Sequence, residues 1–329
     1  MVQEISSNIY INAIDERDFT MFKQLTNALL LSASLSVPFT ALAQSNTATD
    51  AMIEPVISMP AGHFFENLTY KNEKELVATD YTGMSLYQYS EDGAAKLLTK
   101  VDGHPVSIRF DENGTGLLSV HETSIMQGAS FLDSMALYKV TQDGQLTHLI
   151  GLDQSAFLNG MAYLGEQQYL IADAANGKIF HFDMNTSKLS IWLEDEKLQA
   201  MQERPGLPGV NGIQLYKGDL YFTNSAQQLL GKITIKDGKA GELTIVHKGI
   251  QADDFIIDEQ GDWFITTHHH EVIKFTPDGK QSVLVSHGIE GNTAIQMSNK
   301  EAGVFYITND GGLLFGGTNP AGLHKVTFK

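Results

Sequence analysis

Short stretches of alternating apolar and polar residues, separated by turn residues, make up most of the chain after residue 50. Examples are residues 169–173 (YLIAD) and 178–183 (KIFHFD), with turns such as Asn176-Gly177 and Asp237-Gly238. Alternation with period two and Asn-Gly or Asp-Gly turns are typical of half-buried antiparallel strands. Only residues 194–203 (EDEKLQAMQE) compete as a helix. The pattern therefore predicts an all-β chain.

The strands form a unit that is repeated six times. Each copy begins with a short polar-headed strand, and the heads follow one another at intervals of 40, 53, 52, 42 and 40 residues. Such intervals are typical of four-stranded propeller blades. The two longest intervals predict insertions at residues 122–134 and 195–209, which overhang one face. The head positions that define the intervals are Glu66, Val106, Asn159, Asn211, Asp253 and Thr293.

The sixth copy ends at its third strand, residues 323–328, and so lacks an outer strand. Residues 52–59 precede the first head and are predicted to supply that strand. Ring closure of this kind removes free sheet edges and joins the two termini. We therefore predict one domain over residues 51–329, a six-bladed β-propeller closed by an N-terminal strand, after a short linker at residues 44–50.

The first 43 residues differ from the repeats. Residues 21–43 contain Lys23, an apolar run and the sequence Ala41-Leu42-Ala43, as in a secretory signal peptide. The run is short and contains Pro38, which argues against stable insertion in a membrane. Residues 1–20 hold four acids and one base, so we hypothesise that translation begins at Met21. We expect an exported protein, either periplasmic or secreted.

The composition narrows the possible chemistry. The 329 residues include 39 Asp and Glu, 22 Lys and Arg and no cysteine, which gives a net charge of −17. This charge argues against nucleic acid as a partner and is compatible with cation binding. The absence of cysteine excludes disulfides, thiolate zinc sites and a cysteine nucleophile. The chain also has no glycine-rich phosphate loop, His-Glu-x-x-His helix or Gly-x-Ser-x-Gly elbow.

Four of the six head positions carry a carboxylate or an amide. Innermost strands line the central channel of a propeller, so ring closure is expected to bring Glu66, Asn159, Asn211 and Asp253 together at one end of it. Asp254 is predicted to add a further oxygen. Two carboxylates and two amides form an oxygen-only site, which suits calcium better than zinc. The alternative is that the Asn-Gly and Asp-Asp pairs only form turns at strand starts.

These motifs resemble the calcium-site signatures of the six-bladed propeller superfamily that contains regucalcin, gluconolactonases and paraoxonases. The resemblance implies one catalytic-site calcium ion. It argues against a second, buried calcium of the paraoxonase kind, because the acids that help to hold that ion are replaced by Asn67 and Gly160. The matching segments are Glu66-Asn67-Leu68, Asn159-Gly160, Asn211-Gly212-Ile213, Asp253-Asp254 and residues 258–263 (DEQGDW).

The second repeat is closest in motif to the paraoxonase-like branch. His104, on the innermost strand, and His121, at the end of the next strand, resemble its catalytic histidine dyad, because neighbouring antiparallel strands can place two side chains face to face. His268 matches a pocket histidine of that family. Taken singly, each histidine could equally be a loop or solvent-exposed residue. The other residues assigned to the substrate pocket flank the heads or are one of them: Phe65, Phe157 and Thr293.

The resemblance implies a calcium-dependent hydrolase of small esters, a lactonase or an esterase. In the paraoxonase-like reading His104, oriented by His121, activates water. In the gluconolactonase-like reading Asp253 is the base and the substrate is a sugar lactone, for which Arg109 and Arg204 are candidate pocket residues. An apolar rim favours an acyl or aryl lactone instead. A non-catalytic, ligand-binding propeller with a structural calcium is the remaining alternative.

Overall fold

The computed structural model describes residues 51–328 except 92, 128–134, 153–155 and 205. The predicted signal peptide and linker, and much of the first insertion, lie outside these residues. In the described part, no helix is long and apolar enough to cross a membrane. The same part contains 24 strands in six four-stranded antiparallel sheets.

The sheets are the predicted blades, with each innermost strand at the channel. Strand β1 (Ala51–Met59) belongs to the last blade. The first three blades, each given from the channel outward, are β2 (Phe65–Tyr70), β3 (Glu75–Asp80), β4 (Ser85–Ser90) and β5 (Ala95–Lys100); β6 (His104–Phe110), β7 (Gly116–His121), β8 (Met135–Val140) and β9 (Leu146–Leu152); and β10 (Leu158–Gly165), β11 (Gln168–Asp173), β12 (Lys178–Asp183) and β13 (Lys188–Glu194).

The other three blades have the same order. They are β14 (Val210–Tyr216), β15 (Asp219–Asn224), β16 (Leu229–Lys236) and β17 (Lys239–Lys248); β18 (Phe255–Ile257), β19 (Trp263–Thr266), β20 (Val272–Phe275) and β21 (Gln281–Val285); and β22 (Asn292–Met297), β23 (Val304–Asn309) and β24 (Ala321–Phe328), completed by β1. Three 3₁₀ turns lie in the described loops, at Ile125–Gln127, Glu196–Leu198 and Leu313–Phe315. Residues 194–203, whose pattern was compatible with a helix, therefore contain one short 3₁₀ turn.

The N-terminal strand closes the ring. Strand β1 pairs antiparallel with β24, from Ala51 opposite Phe328 to Met59 opposite Ala321. The prediction of a six-bladed propeller closed by an N-terminal strand is confirmed. Apolar side chains fill the spaces between neighbouring blades. For example, Phe65 and Leu76 of the first blade pack with Tyr306 of the last.

A β-bulge interrupts the innermost strand at the head of each blade. In the first blade, Phe65 pairs with Asp80 and Leu68 with Ala78, so that Glu66 and Asn67 together face a single residue. Hydrogen bonds between Asp253, Asp254 and Thr266 give the fifth blade the same arrangement. A bulge changes the direction of the side chains that it contains. Matching register shifts occur between Pro105 and Ile108, Leu158 and Met161, Val210 and Ile213, and Asn292 and Ile295.

A hydroxyl group opposite most of these bulges joins one blade to the next. Thr223 Oγ1 accepts the N–H of Gly212, in its own blade, at 2.9 Å and donates to the carbonyl of Asp253, in the next blade, at 2.7 Å. Thr79 makes the same two bonds between the first and second blades. In the third blade the residue opposite the bulge is Ala172, which has no hydroxyl group. The bonds fix the head strands against one another and thereby position their side chains.

Candidate active site

An apolar cavity with a volume of about 300 Å³ lies at the end of the channel that holds the polar heads. Its polar lining includes four of the five predicted metal ligands, Glu66, Asn159, Asn211 and Asp253. Phe64, Tyr81, Val106 and Phe157 belong to its apolar wall. Both predicted insertions reach it, through Ile125 and through Leu207 and Pro208. A third segment, after β23, contributes Leu314 and Phe315. It was missed because no head follows that of the sixth blade, so no interval could indicate an insertion there.

The four polar heads are linked in pairs. Asn159 Nδ2 donates to Glu66 Oε1 at 3.3 Å. Asn211 Nδ2 donates to Asp253 Oδ1 and lies 3.1 Å from Ser225 Oγ. The structure thus brings Glu66, Asn159, Asn211 and Asp253 together, as their common phase in the repeat predicted. We call these four residues the polar ring.

Glu66 carries a buried carboxyl group with one unpaired oxygen. Its Oε2 atom is buried and has no hydrogen-bond partner. Burial, reinforced by the neighbouring Asp253, raises the pKa of Glu66 to about 8. A buried polar atom without a protein partner is rare and is suited to bind a water or an ion. The ring therefore offers an acceptor on a group that a cation would stabilise.

The donor set of the polar ring fits calcium. It offers two carboxylates and two amides, and a rotated amide presents its oxygen, since the two amide orientations are assigned from hydrogen bonding. Calcium takes six to eight oxygens and accepts water for those that protein does not supply. No group of three or more acids, histidines or cysteines suited to a metal occurs among the described residues. The fit thus depends on the amides and on the unpartnered Glu66 oxygen.

His268 contacts the polar ring from the cavity wall. Its Nδ1 lies 2.8 Å from Asp253 Oδ2, and its Nε2 lies 3.5 Å from Asp310 Oδ2. Burial lowers the pKa of His268, but the two carboxylates outweigh burial and hold that pKa well above its ordinary value. The backbone of His268 has φ of 60°, in the left-handed region that few non-glycine residues adopt. The assignment of His268 to the pocket agrees with this placement.

The predicted histidine dyad does not reach the cavity. His104 and His121 pair across β6 and β7 as expected. However, His104 Nδ1 lies 2.9 Å from the carbonyl oxygen of Tyr81, and His121 Nδ1 lies 3.0 Å from the Tyr81 hydroxyl. His121 is fully buried, and Tyr81 and Val106 form this part of the wall. Neither imidazole lines the cavity, which corrects the predicted placement of the dyad: both contact Tyr81, a cavity residue from the first blade. A catalytic role of the two histidines stays a prediction.

Two pocket assignments also need correction, whereas Phe157 lines the cavity as expected. Phe65 is fully buried between the first and last blades, and its neighbour Phe64 lines the cavity instead. Thr293 Oγ1 donates to the carbonyl of Phe65 and lies 2.9 Å from Thr308 Oγ1. Both side chains therefore join blades. The bulges decide which residue of each head faces the cavity.

Asp254 is not part of the polar ring. Its Oδ1 atom lies so close to Gly212 that a Cβ atom there would approach it to 2.6 Å. Burial raises the pKa of Asp254 to about 7, and the charge of Arg109 opposes that rise. The bulge turns Asp253 and Asp254 in different directions, which corrects the prediction of a fifth ligand. Arg109 Nε donates to Met161 O at 3.1 Å and Arg204 Nη1 to Ala226 O at 3.1 Å, and neither arginine lines the cavity.

Asp310, beside the cavity, is a further residue that the sequence did not reveal. It follows β23 immediately, is buried, and contacts His268. The signal available was the sequence Asn309-Asp310-Gly311-Gly312, a second-strand end followed by two glycines. That sequence alone does not show that Asp310 reaches the cavity, because this depends on the position of the turn that follows the two glycines.

Comparison with known proteins supports the fold. No family model matches the chain, and no curated protein matches it. A luciferin-regenerating enzyme is 12% identical with a TM-score of 0.64, over 84% of this chain and 95% of that one. A gluconolactonase from Xanthomonas campestris is 14% identical with a TM-score of 0.62, over 89% and 94%. Regucalcin, a calcium-binding protein from Agrobacterium tumefaciens, is 12% identical with a TM-score of 0.58, over 84% and 94%.

The chain has the gluconolactonase-like six-bladed propeller fold. This confirms the fold that the motifs implied. The identities are too low to carry an activity from these proteins to this chain. Closeness to the paraoxonase-like branch stays a prediction, and so does export of the protein.

Proposed function

We propose that this gluconolactonase-like propeller is a calcium-dependent hydrolase of small esters, a lactonase or an esterase. The observation that carries the proposal is the polar ring in an otherwise apolar cavity, with a buried Glu66 oxygen that has no partner. Glu66, Asn159, Asn211 and Asp253 would hold the ion. Two similar structures, a gluconolactonase and a calcium-binding regucalcin, give further support.

The chain supplies a proton acceptor next to the cavity. A bound calcium ion contributes a Lewis acid that polarises an ester carbonyl. Asp253 is the general base that the geometry favours, since its carboxylate lines the cavity and one of its oxygens is oriented by His268 Nδ1. The proton taken from water would reside on the Asp253 carboxylate, which the contact with His268 Nδ1 would hold in place. The apolar wall excludes competing water from the ester.

Hydrolysis of lactones before and after chelation tests the proposal. The chain from Gln44 onward is assayed with aliphatic, aryl and sugar lactones in calcium, after EGTA, and after calcium is restored. We expect turnover that disappears with EGTA and returns with calcium. Glu66→Gln should lose this turnover, while Glu54→Gln, at an exposed position on β1, should keep it. A folded, calcium-loaded protein without turnover would refute the hydrolase and favour a ligand-binding propeller.

Two substitutions separate the possible bases. Asp253→Asn keeps the size of the side chain and removes the proton acceptor, so we expect turnover to fall by at least about 100-fold. His104→Ala should retain most of the turnover, because its imidazole faces Tyr81. Loss of turnover in His104→Ala, with calcium binding and folding intact, would restore the dyad mechanism and overturn the assignment of Asp253.

A further inference from the structure

The cavity that contains the polar ring offers few groups to a charged or polyhydroxylated substrate. Within the part of the chain that the structure describes, its lining includes no lysine or arginine. Apart from the polar ring and a few polar side chains at its edges, the lining is aromatic and aliphatic. A volume of about 300 Å³ equals roughly ten water-sized groups. This space suits an ester ring with a short apolar substituent.

The turn at Leu313–Phe315 forms the most exposed part of this apolar lining. Leu314 is 42% exposed and Phe315 is 58% exposed, although both line the cavity. The Phe315 ring stacks on His269 with centroids 4.7 Å apart and meets the edge of His268 at 6.0 Å. Large apolar side chains in such positions gain free energy when an apolar ligand covers them.

Asp310 joins this turn to the polar ring. Its Oδ1 accepts the N–H of Gly312 at 2.7 Å, and its Oδ2 accepts the N–H of Leu314 at 3.0 Å. The same Oδ2 lies 3.5 Å from His268 Nε2, and His268 contacts Asp253. Asp310 is only 1% exposed. One buried carboxylate thus positions both the turn and the imidazole beside the proposed base.

We propose that the Leu313–Phe315 turn, held by Asp310, is the specificity element of this cavity and selects esters with an uncharged apolar substituent. The inference rests on the proposed hydrolase function and names its substrate class. Phe315 and Leu314 contact the substituent, and Asp310 is a positioning residue. Sugar lactones are disfavoured, because their hydroxyl groups would be buried against this lining without partners.

A homologous series of lactones tests the specificity. In the calcium-loaded protein, kcat/KM should rise about fourfold for each methylene between γ-butyrolactone and γ-octalactone, and glucono-δ-lactone should be the poorer substrate. Phe315→Ala should lower the ratio of kcat/KM for γ-octalactone to that for γ-butyrolactone about tenfold. Ile191→Ala is the matched control, since Ile191 on β13 is 55% exposed and does not line the cavity. An unchanged ratio in Phe315→Ala would overturn the proposal.

Asp310→Asn tests whether Asp310 positions the turn and His268 or only stabilises the fold. The amide keeps the size of the side chain but can no longer accept from both backbone N–H groups and face His268 as an anion. We expect a higher KM for γ-octalactone together with a lower kcat, whereas Phe315→Ala should act mainly on KM. A variant that loses thermal stability but keeps both kcat and the chain-length ratio would show a merely structural role and refute the positioning role.

A binding measurement distinguishes failure of this inference from failure of the hydrolase proposal. The neutral apolar probe N-phenyl-1-naphthylamine is titrated by fluorescence against the calcium-loaded protein, Phe315→Ala and Ile191→Ala. We expect at least about fivefold weaker binding in Phe315→Ala alone. If this result is obtained without turnover of any lactone, only the hydrolase proposal fails. Turnover without chain-length preference, together with equal probe binding in all three proteins, would overturn only the specificity inference.

Discussion

His324 couples the closure of the ring to pH. This residue lies on β24, opposite Pro55 of the closing strand β1 and Ile307 of β23. Its Nδ1 atom is buried without a hydrogen-bond partner, and its Nε2 lies 3.2 Å from Asn309 Oδ1. Burial lowers the pKa of His324 to about 4. Protonation would place an uncompensated charge inside the sheet that joins the two ends of the propeller.

The sign and size of the effect follow from linkage. In the unfolded chain histidine titrates near pH 6.5, so between pH 6.5 and pH 4 the unfolded state binds the additional proton. The contribution of neutral His324 to the free energy of unfolding is therefore fully present above pH 6.5 and decreases as the pH falls. The difference between a pKa of 6.5 in the unfolded chain and a pKa of about 4 in the folded protein corresponds to a loss of about 3 kcal/mol once the pH is below both values. About 2 kcal/mol of this should be lost between pH 7.5 and pH 5.

Urea unfolding of the calcium-loaded protein at pH 7.5 and pH 5 measures this loss. His324→Gln carries no titrating group, so its free energy of unfolding should change with pH by about 2 kcal/mol less than that of the unmodified protein. His287→Gln is the matched control, because His287 is exposed and contacts Ser286 at the surface. The comparison uses the difference between two pH values, so a constant cost of the substitution cancels. Equal pH dependence in His324→Gln and the unmodified protein would refute the reasoning.

Three further predictions concern the polar ring, the bonds between blades and the closure of the propeller. Glu66→Gln should remove the stabilisation by calcium, which for the unmodified protein is about 2.7 kcal/mol at a calcium concentration of 100 times Kd; the melting temperature in calcium and in EGTA measures it, and an equal shift in both proteins would contradict the ligand assignment. Thr223→Val should lower the free energy of unfolding in urea by about 1–3 kcal/mol, because it leaves a buried N–H and a buried carbonyl without the hydroxyl that joins two blades. Thr244→Val, at an exposed strand position, should cost much less. Equal losses in the two variants would argue against the inter-blade bonds. Deletion of residues 51–59 should expose the edge of β24 and produce aggregation or loss of a single unfolding transition, whereas a monomer with unchanged unfolding would contradict closure by β1.

The sequence predicted the fold closely because period, turns and strand pattern all repeat. The second strand of the third blade, for example, was expected at residues 169–173 and lies at Gln168–Asp173. The phase of the repeat also predicted that Glu66, Asn159, Asn211 and Asp253 would meet. Equivalent positions in a closed ring converge at one depth of the channel, so no side-chain detail was needed for that inference.

Side-chain direction at the heads could not be predicted in the same way. A bulge places two residues opposite one, and alternation no longer decides which of them faces the channel. This explains why Asp254, adjacent to a ring residue, turns toward Arg109. It also explains why Phe64 rather than Phe65 lines the cavity. The position of His104 and His121 depended on Tyr81, a residue from another blade, and no pattern within their own repeat contains that information.

The same bulges place the polar ring at the strand positions where the ladder between β-strands is interrupted. Backbone groups released from the ladder are taken up by side-chain hydroxyls such as Thr79 and Thr223, which connect neighbouring blades. The head side chains are therefore held by bonds between blades and do not depend on loops. A polar ring fixed in this way can keep two carboxylates close together despite their repulsion. The fold thus pre-organises the polar ring that we propose as a cation site, while the loops above it, with Asp310 and Phe315, remain available to set what the proposed site accepts.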